Sequence, residues 1–509
     1  MACGSGIFLI TLYQHLLDWH LAQYTTDNAG KWARGRSPRL YRTQLGEWRL
    51  TPEERKRILL THVYGVDIDA QAVEVTKLSL LLKLLEGEDR QTLDPQLALL
   101  PQRILPDLSR NIRCGNALIG PEFYDGQMAL LDEEEVYRVN VFDWRAAFPA
   151  VFAQGGFDGI VGNPPYVRIQ AMKEWAPREV EYYKRRYRAA SQGNYDLYVV
   201  FVEKGLELLN DVGRLGFILP HKFFNAQYGA PLRQLIATGQ HLEEVVHFGD
   251  QQVFAGVTTY TCLLFLSKEA QAEFRFVQAH DLGAWSIDAA AAKAGQIDSA
   301  VSTSGEWNFA LGSEAEVFAR LAAMPTHLSD VASRIFQGCI TGADLIFLFK
   351  QFQEVTSEGQ APSMIHVFSE EVREFVPIES GILKRVVRSG SINRFDATPT
   401  VLALFPYDVV NGKAALLSVA TFQSRYPLAW SYIKRCQQTL EQREKGKFKD
   451  DEWYRYGRTQ NLGLWEMPKV MVPYMVTRLA AYLDITDKYY FINVTTGGYG
   501  ITVNEDTIS

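Results

Sequence analysis

The chain has 509 residues, of which 47% are hydrophobic and 22% charged, a composition that excludes a disordered or fibrous protein and allows two or more globular domains. It contains no apolar run of membrane-spanning length, and its N-terminus does not resemble a signal peptide, so we expect a cytoplasmic protein without a membrane partner. The net charge of −7 gives no general support for binding nucleic acid, which must then depend on local basic patches.

Cysteine usage excludes two further classes of protein. The five cysteines are dispersed, odd in number and form no Cys-x-x-Cys pair; they lie at positions 3, 114, 262, 339 and 436. We therefore expect neither a disulfide framework nor a zinc site.

The first predicted element is a turn of small residues, followed by a helix. The turn consists of Ala2, Cys3, Gly4, Ser5 and Gly6. It leads into an apolar pattern of helical period from Ile7 to Leu16. Small residues at such a position are typical of a strand-to-helix turn that a ligand approaches closely, although a Gly-Ser-Gly sequence alone is weak evidence.

Two short strands that end in polar residues follow. The run from His62 to Asp69 predicts a strand with Asp67 at its tip, where nucleotide-binding sheets place an acid against ribose hydroxyls. The alternative function, capping the apolar helix expected from about Ala72 to Leu85, suits Asp69. The second strand ends at Asn116, whose amide could bind an adenine edge.

The most informative segment is a tetrapeptide that follows the apolar run from Phe157 to Gly162. It consists of Asn163, Pro164, Pro165 and Tyr166. The run predicts a buried strand, which places the tetrapeptide at the carboxyl end of a parallel sheet, where open α/β folds bind ligands. An ordinary Asn-Pro turn with a surface tyrosine is the alternative interpretation.

The chemistry that suits this tetrapeptide is methyl transfer to an exocyclic amino group. The nitrogen lone pair of such a group is conjugated into a ring, so the amine is a poor nucleophile. The amide oxygen of Asn163 and the carbonyl of Pro164 can each accept one N–H, which frees the lone pair. Pro165 stiffens the turn, and Tyr166 offers a flat face to a base.

A run of basic and aromatic residues follows the tetrapeptide. Its cations are Arg178, Lys184, Arg185, Arg186 and Arg188, and its aromatic residues are Trp175, Tyr182, Tyr183 and Tyr187. Alternating cationic and stacking side chains suit a displaced nucleotide and its flanking phosphates. A solvated amphipathic helix is the alternative.

Alternation of strands and helices predicts a catalytic domain over residues 1–266, closed by strands at 244–248 and 258–266. Residues 267–325 are rich in alanine, with a helical composition from Asp288 to Ala294, and we expect them to form a connector. The sequence pattern changes near Leu328, which predicts a separate domain over residues 326–509.

Together these segments resemble the gamma class of adenine-specific DNA methyltransferases, especially the TaqI-like and type IIG enzymes with a C-terminal target-recognition domain. The resemblance implies a Rossmann-like α/β sheet that binds S-adenosylmethionine, followed by a mixed α+β recognition domain. It assigns catalysis to Asn163 through Tyr166, and residues 338–342 then resemble the turn that opens the recognition domain.

The resemblance also assigns the cofactor and base contacts. Its cofactor residues are Ala2, Cys3, Gly4, Ser5, Gly6, Asp67, Ile68, Asn116, Ala117, Leu197 and Phe201. Leu197 and Phe201 lie one helical turn apart, so they could wall the cofactor adenine, although periodicity alone would make both of them core residues. Stacking on the target base falls to Tyr166 and Tyr228. The basic run itself, and not the resemblance, predicts contact of its five cations with duplex DNA.

Three departures from the family pattern qualify these expectations. The chain begins inside the family's first motif, here the turn from Ala2 to Gly6, and lacks the strand that precedes this motif in the family. Any nuclease domain is missing, and the recognition domain ends early. We expect a fragment whose sheet has a gap at its centre. Such a fragment would bind S-adenosylmethionine weakly unless an upstream domain or a separate polypeptide supplied the missing strand.

The sequence therefore predicts a site-specific DNA methyltransferase that acts on adenine N6 in duplex DNA, within a restriction-modification or phage-defence system. Two alternatives stay open. A protein-glutamine methyltransferase could use the same tetrapeptide, because a glutamine amide poses the same lone-pair problem. A non-catalytic DNA-binding or complex-forming subunit could retain the fold without the activity.

Overall fold

The computed structural model describes residues 1–86, 105–125, 133–254, 259–354, 363–474, 478–492 and 497–503. The chain divides into two compact units, residues 1–321 and 322–509. Within the described ranges, no helix is both long enough and apolar enough to cross a membrane.

The first unit contains short strands and longer helices in alternation. Its strands are β1 (Leu40–Arg42), β2 (Trp48–Leu50), β3 (Gly65–Asp67), β4 (Ile112–Cys114), β5 (Phe157–Gly162), β6 (Leu209–Pro220), β7 (Leu242–His247), β8 (Thr261–Ser267), β9 (Glu273–Gln278) and β10 (Lys293–Asp298). Its α-helices are Ile7–Trp32, Pro52–His62, Ala70–Leu85, Glu133–Val139, Trp144–Ala147, Pro149–Phe152, Ile169–Trp175, Pro177–Arg186, Tyr198–Leu208, Ala230–Thr238, Leu282–Ile287 and Ser313–Ala322. Single 3-10 turns connect them at Pro121–Tyr124, Arg188–Ala190, His221–Phe224, Gln227–Gly229, Ala289–Ala291 and Ser299–Val301.

Two parallel strand pairs carry the segments that the sequence analysis selected. β3 pairs with β4, and Asp67 lies opposite Cys114 in that register. β5 pairs in parallel with β6, which continues a six-stranded mixed sheet in the order β10-β9-β7-β8-β6-β5. β3 ends at Asp67, and β4 and β5 end just before Asn116 and Asn163, so the polar residues all follow carboxyl ends of parallel strands.

A groove is lined by residues of both β3 and β5. Its lining consists of Met1, Leu9, Leu12, His62, Tyr64, Gly65, Val66, Trp144, Phe157, Gly159, Ile160 and Val161. In the part of the chain that the structure describes, β3 and β5 belong to different sheets. At one end of the groove, the carbonyl oxygen of Met1 lies 3.2 Å from the position that a Cβ on Gly162 would take, so a larger residue would crowd this contact.

The prediction that residues 267–325 form only a connector is wrong. β9 pairs in parallel with β7 and antiparallel with β10, so this stretch extends the catalytic sheet. Phe274 and Phe276 are buried, which is the alternation of a half-buried strand, but the alanine-rich sequence that follows obscured it. Within 288–294, expected to be helical, only Ala289–Ala291 forms a 3-10 turn and β10 begins at Lys293.

The second unit has several small antiparallel sheets packed with short helices. Its strands are β11 (Ala332–Gln337), β12 (Leu348–Phe349), β13 (Phe352–Glu354), β14 (Met364–Ser369), β15 (Glu374–Glu379), β16 (Leu383–Val386), β17 (Ile392–Asn393), β18 (Asp396–Ala397), β19 (Val401–Leu404), β20 (Tyr407–Val410), β21 (Lys413–Leu416), β22 (Lys469–Pro473), β23 (Tyr482–Asp484) and β24 (Gly498–Val503). Its α-helices are Leu328–Val331, Asp344–Phe347, Val419–Arg425, Pro427–Arg435, Gln437–Glu441 and Arg443–Gly446, and its 3-10 turns are Ser380–Ile382, Ser389–Ser391 and Leu462–Glu466. The largest sheet has the order β11-β24-β22-β23.

A fully buried ion pair joins two strands of that sheet. The ammonium of Lys469 donates to Asp484 Oδ2 at 2.6 Å and to the carbonyl of Trp465 at 2.7 Å. Asp484 also accepts from the backbone N–H groups of Lys488 and Tyr489, so its carboxylate is well satisfied. Removal of one partner would leave the other buried and unpaired.

We therefore predict that Asp484→Ala lowers the free energy of unfolding by about 3–5 kcal/mol in urea denaturation, because Lys469 would remain buried without a counter-charge. The matched control is Asp408→Ala, which removes the exposed partner of Arg425 and should cost less than about 1 kcal/mol. Equal effects of the two substitutions would contradict this account of the buried pair.

Candidate functional site

The N-terminal turn lies against the end of β3 and is held there by Asp67. Asp67 Oδ2 accepts the backbone N–H of Gly4 at 2.7 Å, and Oδ1 accepts that of Asp69 at 3.0 Å. The N–H of Cys3 also donates to the carbonyl of Val66 at 3.2 Å. One carboxylate thus fixes both the turn and the approach to the next helix, which Asp69 caps as predicted by accepting the N–H of Gln71.

The same turn packs against that helix through Thr76. The hydroxyl of Thr76 donates to the carbonyl of Gly4 at 2.8 Å. Gly6 has a φ of +84°, and a Cβ at this position would lie 2.8 Å from Thr76 Cγ2. Both the backbone conformation and the close approach therefore require glycine at position 6.

A cleft open to solvent, with about 760 Å³ of empty space, lies where the selected segments meet. It is lined by Ala2, Asp67, Ile68, Asn116, Ala117, Leu118, Arg138, Pro165, Val167, Met172, Trp175, Glu179, Tyr183, Leu197 and Phe201. Most of the predicted cofactor residues are in this set. Cys3, Gly4, Ser5 and Gly6 are not, because they support the turn behind Ala2.

Two apolar residues, Ile68 and Phe201, contribute to the cleft wall. Ile68, at the end of β3, is 52% exposed, which is unusual for a large aliphatic side chain beside a buried strand. Phe201 is buried, and its N–H donates to the carbonyl of Leu197 at 3.4 Å, which places both residues on one face of a helical turn. Such apolar faces suit a flat ring.

Asn116 occupies the end of β4 with part of its hydrogen-bonding capacity in use. The side-chain Oδ1 of Asn116 accepts the backbone N–H of Leu118 at 3.0 Å. The backbone N–H of Asn116 donates to the carbonyl of Asn140 at 2.6 Å. The nearby Tyr183 is buried, and its burial raises the pKa of its phenol. Asn116 therefore shapes the cleft through its own turn as well as through its side chain.

Two helices that follow the tetrapeptide provide one wall of the cleft. This wall was not predicted from the sequence. Met172 and Trp175 come from the first helix, and Glu179 comes from the second. Glu179 is buried and accepts from the guanidinium of Arg138 at 2.7 Å. The basic composition of the surrounding run concealed this acid, and only the helical spacing of Glu179 with Tyr183 could have indicated it.

The tetrapeptide begins directly after β5, at the edge of this cleft. Asn163 is exposed, Pro164 is buried and Pro165 contributes to the lining. Within the described ranges, the side chain of Asn163 and the carbonyl of Pro164 make no hydrogen bond. The Asn163 side chain is thus exposed to a donor that enters from solvent.

Tyr166 and Tyr228 are both held near Tyr198. The rings of Tyr166 and Tyr198 meet edge to face at 6.3 Å between centroids. The hydroxyl of Tyr228 lies 3.0 Å from that of Tyr198 and donates to Asp196 Oδ2 at 3.1 Å. Burial raises the pKa of both Tyr166 and Tyr228, so their hydroxyls stay neutral at physiological pH.

The stacking role expected for the tyrosines of the basic run is wrong. Tyr182, Tyr183 and Tyr187 are buried in the core of the first unit, because the helix and its C-terminal cap turn them inward while its basic residues face out. Of the five cations, Arg178 pairs with Glu135 and Arg186 with Glu207. Lys184, Arg185 and Arg188 are exposed and form no ion pair within the described part of the chain.

Comparisons with known proteins found similar sequences. Residues 61–254 match the family model described as the Eco57I restriction-modification methylase. The chain is 28% identical to the type II restriction enzyme and methyltransferase RM.Eco57I of Escherichia coli, over 98% of this chain and 48% of that protein. A segment of 117 residues is 38% identical to the type II methyltransferase M.PaeR7I of Pseudomonas aeruginosa, over 23% of this chain and 20% of that protein.

A solved structure shares the fold. The type IIL restriction-modification enzyme MmeI, solved in complex with DNA, superposes with a TM-score of 0.55 and 14% identity, over 100% of this chain and 56% of that one. This likeness confirms the predicted methyltransferase sheet with an additional domain. The chain spans about half the length of the Escherichia coli relative. Its sequence is similar to those of restriction-modification methylases of the Eco57I type, in agreement with the predicted resemblance.

Proposed function

We propose that this chain transfers a methyl group from S-adenosylmethionine to N6 of an adenine in duplex DNA, as the methylase part of a cytoplasmic restriction-modification system. One observation carries the proposal: Pro165 of the tetrapeptide lines the same cleft as Asp67, Ile68 and Phe201. The groups suited to hold a nucleotide-like cofactor and those suited to bind an amine therefore adjoin one another.

The residues of the cleft fit this cofactor. Each oxygen of Asp67 uses one lone pair for a backbone N–H, so the carboxylate retains capacity for ribose hydroxyls. Ile68 and Phe201 offer apolar surfaces to the adenine ring. When bound, the cofactor supplies an electrophilic methyl group.

Asn163 and Pro164 act on the acceptor amine. Asn163 Oδ1 and the Pro164 carbonyl each accept one N–H of the amine, which draws the nitrogen toward tetrahedral geometry and frees its lone pair. Because Pro164 is buried and Pro165 has a fixed φ, the Pro164 carbonyl is positioned before the substrate arrives.

The adenine of a duplex is stacked and paired, so it must be extruded to reach these acceptors. Tyr166 and Tyr228 supply aromatic faces for the extruded base. The hydroxyl of Tyr228 is fixed by Asp196 and Tyr198, which holds its ring in one orientation.

Contacts with the DNA backbone come from the exposed cations Lys184, Arg185 and Arg188, with Arg178 and Arg186 as further candidates once their acidic partners release them. Sequence recognition lies in the second unit, because the catalytic pocket receives only one base. The groove between β3 and β5 has an apolar lining and parallel strands on both sides, which suits one further strand from another segment or a separate polypeptide.

Within the proposed function, the first prediction concerns Asn163. Asn163→Ala should reduce the rate of methyl transfer to DNA by about two to three orders of magnitude, because it removes one acceptor of the amine, while the affinity for S-adenosylmethionine should stay nearly unchanged. Asn163→Asp is the matched control, since it keeps an oxygen acceptor and should retain more activity than the alanine variant. Transfer of labelled methyl groups and calorimetric titration of the cofactor measure the two quantities.

The same assay separates the alternatives. A glutamine-bearing release factor, added as a competing acceptor, should stay unlabelled. Labelling of that protein instead of DNA would reject adenine as the substrate, and full activity of Asn163→Ala would reject the catalytic assignment.

The second prediction concerns the extruded base. Tyr228→Ala should weaken the flipped state by roughly 1–3 kcal/mol, because a stacking face is lost. Tyr228→Phe keeps the ring and loses only the hydroxyl contacts, so it should weaken that state less. Fluorescence of 2-aminopurine at the target position reports extrusion, and an equal signal in the native protein and the alanine variant would exclude Tyr228 from the base pocket.

A further inference from the structure

A short hairpin in the second unit has an unusual loop. β17 and β18 pair Ile392 with Ala397 and Asn393 with Asp396, which leaves a two-residue loop of Arg394 and Phe395. Phe395 has a φ of +71°, in the left-handed region where residues with a bulky side chain are rare. The loop therefore accepts backbone strain.

A second hairpin in the same unit shows what this loop length ordinarily requires. β20 and β21 are joined by Asn411 and Gly412, with φ values of +51° and +73°. Asn-Gly is the favoured pair for a two-residue hairpin loop, because both residues tolerate positive φ. Hairpin stability alone thus gives no reason for an aromatic residue at position 395, and strain of this kind is concentrated at functional sites.

The ring of Phe395 is presented to solvent. Its side chain is 78% exposed, and the guanidinium of Arg394 lies 5.2 Å from the ring centroid. The N–H of Phe395 donates to the carbonyl of Ala481 at 3.1 Å, so the tip of the hairpin is held in place by a neighbouring segment. The backbone of the loop is therefore held while the ring is exposed.

That neighbouring segment repeats the same combination of side chains. Leu479 is 87% exposed, and Arg478 beside it is exposed as well. Arg388, which precedes the hairpin, is a third exposed guanidinium. Within the described ranges these three arginines have no carboxylate partner, and the acid on the hairpin itself is Asp396. This part of the second unit therefore presents exposed guanidinium groups and an exposed apolar tip, with the Arg394 guanidinium directly beside the ring.

We propose that the Arg394–Phe395 tip is a wedge for duplex DNA, in which Phe395 inserts between base pairs and the neighbouring guanidinium groups bind phosphates. Apolar side chains inserted at a base step, flanked by arginines, bend DNA and are typical of proteins that deform the duplex. This inference rests on the proposed function, since it assumes that the second unit contacts the methylated DNA. The guanidinium of Arg394 beside the ring favours DNA over an apolar protein surface.

Phe395→Asn tests the wedge while preserving the hairpin. Asparagine tolerates positive φ better than phenylalanine, so the variant should melt at the same temperature as the native protein or higher. Its dissociation constant for duplex DNA should rise roughly five- to 150-fold, the equivalent of one lost stacking contact. The probe is a duplex that carries the site methylated by the native protein, labelled at both ends so that energy transfer reports bending.

Val410→Ala is the matched control, since Val410 is 68% exposed beside the loop of the second hairpin. It should change neither affinity nor bending. Native affinity and bending in Phe395→Asn would overturn the wedge and leave the proposed function intact. A lower melting temperature of that variant would also overturn it, because the ring would then serve the fold. If the native protein binds no duplex DNA, the proposed function and the wedge fail together.

Discussion

The carboxylate of Asp67 accepts the backbone N–H groups of Gly4 and Asp69, and the geometry of the cleft depends on these two hydrogen bonds. They fix the N-terminal turn at the end of β3 and compensate for the burial of a charged group. Thr76 adds a contact from the following helix to the same turn. Loss of the carboxylate would therefore displace Ala2 and Ile68 together, from both sides of the place where a ribose would bind.

The residues that meet at the cleft follow strands of two separate sheets. Asp67 and Asn116 follow the β3–β4 pair, whereas Asn163 follows β5 in the six-stranded sheet. Since a reaction needs both groups at a fixed separation, the contacts between the two sheets matter as much as the groups themselves. Gly162, packed against the backbone of Met1, and the two helices after the tetrapeptide supply such contacts.

Local patterns were sufficient to predict the elements whose chemistry lies in consecutive residues. The tetrapeptide, the acid at the tip of β3 and the spacing of Leu197 and Phe201 are of this kind, and Pro165, Asp67, Leu197 and Phe201 line one cleft in the structure. The Arg138–Glu179 wall could not be predicted, because its partners are distant in sequence and Glu179 lies within a basic run. β9 and the burial of Tyr182, Tyr183 and Tyr187 could not be predicted either. Tertiary packing decides which face of a strand or helix is buried, and composition does not encode that packing.

The central claim is that the cleft beside Asn163 holds the cofactor. A crystal structure of the chain with S-adenosylhomocysteine tests it most directly. We expect the adenine of this ligand to lie between Ile68 and Phe201 and its ribose hydroxyls to bind Asp67. We expect its sulfur to be directed toward Asn163 and Pro164. A ligand bound outside this cleft, or one inside it with the sulfur directed toward Trp175, would contradict the account.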